Sequence, residues 1–248
     1  MASPVPWFVW PIVLAVNLAL VASSFVALRR HGAGRGATVT ASLLAAWFAL
    51  AVGLSAAGLF AGAPDRLPGI GLGVFPPLLA GALALALSPS LRARALAVPQ
   101  AWLVGVQSLR LVGVVFLVLL ARGVLPSAFA LSAGWGDVAV GSAAPVVALA
   151  LAARKRWAPG AALAWNVLGL VDLAAAIALG ALSADGPLRL FSGGPTTNAM
   201  AELPLSLIPT FGVPIFVLLH VVSLLGLRAR AKGRGEPARA GPAPALAR

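Results

Sequence analysis

The sequence has no cysteine. Disulfides, thiolate metal sites and cysteine nucleophiles are excluded with it. Charge is also scarce: 10% of the 248 residues are charged, against about 25% in soluble globular chains. Six acidic residues in the whole chain leave no carboxylate-rich metal cluster. Neither H-E-x-x-H nor a phosphate-cradling G-x-x-x-x-G-K-[ST] occurs. A haem held by two histidines would need His31, which lies in a loop. The last apolar run has no lysine, which excludes a retinal Schiff base there. The N-terminus lacks a positive segment, and no small-residue cleavage site follows the first apolar run. That run is therefore expected to stay in the mature protein.

What the chain has is hydrocarbon: 60% of its residues are hydrophobic. A membrane span needs about 20 apolar residues. Seven segments qualify, over residues 7–28, 38–61, 69–88, 99–121, 137–153, 161–182 and 205–227. The fold class is all-α, a polytopic membrane protein of seven transmembrane helices over residues 1–231. A disordered basic tail, residues 232–248, follows.

The net charge of +12 would suggest nucleic acid if the charges were not placed by topology. Arg29, Arg30 and Arg35 follow span one, Arg92 and Arg94 span three, and Arg154, Lys155 and Arg156 span five. Arg228, Arg230, Lys232, Arg234, Arg239 and Arg248 follow span seven. The positive-inside rule puts these in the cytoplasm and the N-terminus outside, in a cell inner membrane. The expected partner is the lipid bilayer, with a small solute or a proton and no nucleic acid. A homo-oligomer and a membrane partner both stay open. No cofactor or metal is expected.

Trp7, Trp10 and Trp135 are expected at the outer boundary, and Trp102, Trp157 and Trp165 at the inner one. Trp47 reads as packing. Residues 122–136 and 183–204 read as outer loops, either lids or segments resting on headgroups. The sequences around Leu67-Pro68 and Arg92–Arg94 echo those around Leu203-Pro204 and Arg228–Arg230 at an offset of 136 residues, the pattern of parallel repeats.

Arg110 stands near the middle of span four. An arginine there costs about 2.5–3.5 kcal/mol on insertion scales, so it needs a partner. The acidic residue expected deep in another span is Asp172. Counting the helical rise places Asn17 near the midplane as well, with Gln107 one turn from Arg110 on its face. Asn166 and His220 fall on an inner layer, and Asp137 at the outer end of span five. Prolines 204, 209 and 214 with Thr210 and Gly212 in span seven, Pro76-Pro77 in span three and Pro145 in span five read as helix breaks.

The expected solute or proton path is Gln107, Arg110, Asp137, Asn166, Asp172, Thr210 and His220. It would serve a small-solute or proton-coupled transporter with its site among spans four to seven. The alternative is a non-transport subunit, sensor or assembly factor with a structural ion pair. A lipid- or quinone-modifying enzyme using Asp172 and His220 is a third reading, and no residue is assigned as catalytic.

The motifs Gln107-x-x-Arg110-x-x-Gly113, Gly134-Trp135-Gly136-Asp137, Trp165-Asn166-x-x-Gly169-x-x-Asp172 and Ile208-Pro209-Thr210-Phe211-x-Val213-Pro214, followed by Leu219-His220, carry a resemblance. They resemble a group of small bacterial integral membrane proteins of no established activity, over spans four to seven. The three-plus-one-plus-three layout is also similar to SWEET-type sugar transporters. The first resemblance implies no function, and the second rests on topology and the echo alone.

Overall fold

A computed structural model describes residues 5–31, 34–62, 65, 67, 69–191 and 193–235. They form helices and loops, with no strand among them. Seven helices are long and apolar enough to cross a membrane: Val9–Arg30, Arg35–Ala56, Ile70–Leu87, Gln100–Ala121, Ser127–Ala152, Ala158–Ser183 and Ile208–Ala231. They are spans one to seven below. The chain is a multi-pass membrane protein.

Spans four and seven are the inner rods of the bundle, with about half of each buried. Span five packs on spans four and six, and span six on span seven as well; spans one and three lean on span seven. At one end, Val9, Val13, Phe116, Leu119, Leu125, Phe129 and Leu205 make the largest apolar core.

Span five differs most from expectation. It starts at Ser127, ten residues earlier than the sequence suggested, so most of the expected loop 122–136 is membrane helix. Gly134 and Gly136 lie inside this helix, where each glycine costs about 1 kcal/mol relative to alanine. Packing explains their presence. A methyl at Gly134 would lie 2.6 Å from Leu117, and one at Gly136 would overlap Asp172. Asp137 is consequently the eleventh residue of a 26-residue helix and not at its outer end.

Of spans three, five and seven, only span seven departs from α geometry at a proline. Spans three and five stay α-helical through Pro76, Pro77 and Pro145. Span seven opens with a π-helical turn over Ile208–Gly212 that contains Pro209 and ends two residues before Pro214. Span four has no interior proline, yet it tightens into a 3-10 helix over Val106–Gly113. A short helix, Pro89–Ala97, links spans three and four; Ser88 caps it by accepting from the Leu91 backbone N–H. Span seven's helix runs on to Gly235, and the remainder of the expected tail, residues 236–248, lies outside the described residues.

The 183–204 segment binds mainly to itself. Asp185 pairs with Arg189 at 2.7 Å and accepts from Asn198 at 2.7 Å, while Met200 enters the large apolar core. Trp165 is buried and donates its indole N–H to Val140 O at 3.1 Å, so it is a packing residue and not part of a boundary belt. Trp47 packs on Phe211 with ring centroids 4.8 Å apart, as expected.

Candidate functional site: a charge cluster in the bundle core

The 3-10 winding of span four sets up the site. At three residues per turn, side chains three apart eclipse one another. Gln107, Arg110 and Gly113 therefore stand in one row, and all three are buried. Arg110 has no exposed surface at all.

Its guanidinium meets two carboxylates, where the sequence suggested one. Arg110 Nε donates to Asp137 Oδ1 at 2.7 Å, and Nη2 pairs with Asp172 Oδ2. Nη1 donates to the carbonyl of Gly169 at 3.3 Å and faces His220 Nε2 at 3.2 Å. Spans four, five, six and seven each contribute to the cluster. Small residues let them close in: a methyl at Gly113 would overlap Asp137, and one at Gly169 would overlap the His220 ring.

The histidine tautomer follows from its neighbours. Arginine can only donate, so His220 Nε2 accepts. Its proton then sits on Nδ1, which donates to Asn166 Oδ1 at 2.9 Å. Asn166 Nδ2 donates to Ala162 O at 2.7 Å and to Ser223 Oγ at 2.9 Å. The Ser223 hydroxyl donates to Gln100 Oε1 at 2.7 Å, and Gln100 Nε2 returns to Ser223 O at 3.1 Å. Every bond in this chain points the same way, from Arg110 through His220, Asn166 and Ser223 to Gln100. Such a chain is consistent only with a neutral imidazole.

The structure thus brings together Arg110, Asp137, Asp172, His220 and Asn166. Asp137 moves from the outer end of the expected column to its charged centre. Gln107 shares the row of Arg110 but bonds elsewhere: its Nε2 donates to Phe216 O at 3.2 Å, and its Oε1 has no partner. Thr210 does not belong to the cluster. Its hydroxyl donates to Ser206 O one turn back at 2.7 Å, and it lines a cleft between spans two and three with Trp47, Phe60 and Gly73. Asn17 bonds within its own helix, to Val13 O at 2.7 Å.

Gln100 and Ser223 were missed. Gln100 stands seven residues before Gln107, and Ser223 three after His220, so each shares a helix face with an expected site residue. Among the described residues, no group of three or more His, Asp or Glu side chains could hold a metal.

Formal charges make the cluster unbalanced: one guanidinium stands against two carboxylates. Asp137 Oδ1 and Asp172 Oδ2 take the arginine. Both carboxylates keep some exposure, with relative side-chain areas of 12% and 13%. An excess negative charge in hydrocarbon is expensive unless a cation or proton joins it.

No curated protein and no solved structure matches the chain. One family model does, over residues 67–228, which takes in spans three to seven and every member of the charge cluster. The chain belongs to the family described as Domain of unknown function (DUF8737).

Proposed function

We propose that this protein moves a small solute or protons across a cell's inner membrane, with Arg110, Asp137 and Asp172 as the operating site. The N-terminus lies outside in this reading, because the basic segments follow spans one, three, five and seven. The observation that carries the proposal is the charge imbalance in the bundle core. Two carboxylates on one guanidinium bind one positive charge, and a proton or a protonated solute supplies it. Asp172 is the exchanging group in this reading; like Asp137 it keeps some exposed surface, while Arg110 is sealed. Arg110 cannot release a proton and acts as the fixed anchor. The Arg110-to-Gln100 chain holds the anchor's orientation.

A second reading has its own support. Every hydrogen bond from Arg110 to Gln100 is made, as in a structural network that fixes helix positions. Flux in proteoliposomes carrying a pH-sensitive dye, with and without a panel of small solutes, separates the two. Transport predicts that Asp172→Asn inserts normally and loses flux. A correctly inserted Asp172→Asn that conducts like the parent removes the transport reading and leaves the structural one.

A further inference from the structure

At the arginine-bearing end of the bundle, spans one, two, four and seven and the Pro89–Ala97 helix do not close on each other. They leave a cavity of about 160 Å³, lined by Ala27, Leu44, Ala95, Trp102, Leu103 and Val222 among others. Its floor is a small core of buried residues, Ala27, Val98, Leu103 and Val222. Ser23 and Ser24 also border it, but both hydroxyls donate to Leu20 O, at 3.2 and 2.8 Å. The wall from span one is therefore apolar in effect.

Two arginines stand at this opening. The Arg30 guanidinium lies over the Trp102 ring, 5.9 Å from its centroid. Arg94 precedes the lining residue Ala95 and reaches across to Gly36, near the start of span two. Both are exposed, and among the described residues neither makes an ion pair. The described acidic residues outside the charge cluster, Asp65, Asp185 and Glu202, follow spans two and six or precede span seven, so they belong to the other end.

An apolar slot with unpaired cations at its rim is complementary to an amphiphile with an anionic head. Transfer of an acyl chain from bilayer to protein gains no hydrophobic energy, because both are hydrocarbon. Selectivity must then come from the head, where each nearby cation favours an anionic lipid. We propose that this cavity is a specific site for an anionic phospholipid, with part of one acyl chain seated between spans one, two and four and its phosphate held by Arg30 and Arg94. A choline headgroup would bring its own cation beside the arginines. The site is separate from the charge cluster and does not rest on the transport reading.

The test is native mass spectrometry of the full chain in detergent, titrated separately with dioleoylphosphatidylglycerol, dioleoylphosphatidylcholine and inorganic phosphate. The expected result is one retained phosphatidylglycerol, bound about tenfold more tightly than phosphatidylcholine, and no retained phosphate. Arg30→Gln with Arg94→Gln should bring phosphatidylglycerol down to the phosphatidylcholine level. Ala95→Phe, which fills the cavity, should weaken both lipids. If the double variant does not stay monodisperse, Arg94→Gln alone decides, because that side chain is exposed. Equal binding of the two lipids, phosphatidylglycerol binding unchanged in the arginine variants, or retention of phosphate without a lipid would each overturn the proposal.

Discussion

Gly136 makes room for Asp172: a methyl group on Gly136 would occupy the place of Asp172 Oδ1. The carboxylate thus reaches Arg110 across a notch in span five. Gly136→Ala should push Asp172 away and cost about 1–3 kcal/mol, the usual penalty for overpacking. Gly53→Ala is the matching control, since nothing lies within 4 Å of the added methyl. It should be neutral or slightly stabilising. Thermal unfolding in detergent reads both.

Removal of one charge from the cluster should have opposite effects depending on its sign. Asp172→Asn leaves one carboxylate on one guanidinium, a balanced pair, and should keep or raise the unfolding temperature. Arg110→Gln leaves two buried carboxylates facing each other and should cost about 3–5 kcal/mol, as breaking a buried ionic contact does. Replacement of Arg110, Asp137 and Asp172 together by apolar residues should recover part of that loss. Equal destabilisation by the two single changes would contradict the imbalance.

His220 should hold its proton on Nδ1. Nitrogen chemical shifts of labelled histidine would show that tautomer directly. His220→Phe leaves Arg110 Nη1 with only its Gly169 contact and Asn166 Oδ1 without a donor. The expected cost is about 1–3 kcal/mol for the stranded polar groups. His220→Gln should restore a fraction of it.

Thr210→Val should leave flux intact and change stability by less than about 1 kcal/mol, because its hydroxyl serves only a carbonyl of its own segment. A large loss of flux would bring Thr210 back into the site.

Much of the architecture was readable because hydropathy reports span number directly. The count of seven stands, and six of the spans fall within a few residues of their expected bounds. Span five is the exception: its first ten residues, which include Gly134 and Gly136, are helical only in the company of their neighbours. What they accommodate, Leu117 and Asp172, lies on other helices, and no local pattern records that. The same limit applied to Asp137. Its depth could be counted only from the correct start of span five, and that start was ten residues off. Arg110 and Asp172 were found because an ionisable group within an apolar run needs no context to stand out. Thr210 was drawn in by its neighbouring prolines, which shape the backbone there without bringing its side chain to the charges.

The tight winding of span four has a mechanical corollary. A 3-10 helix advances about 2.0 Å per residue and an α-helix about 1.5 Å. The eight residues Val106–Gly113 are therefore stretched by about 4 Å relative to the same stretch wound as α. Rewinding them would swing Arg110 off the row it shares with Gln107 and Gly113, and would draw Gln100 and Ala121 toward each other. The anchor of the two carboxylates is thus also the midpoint of an extended spring.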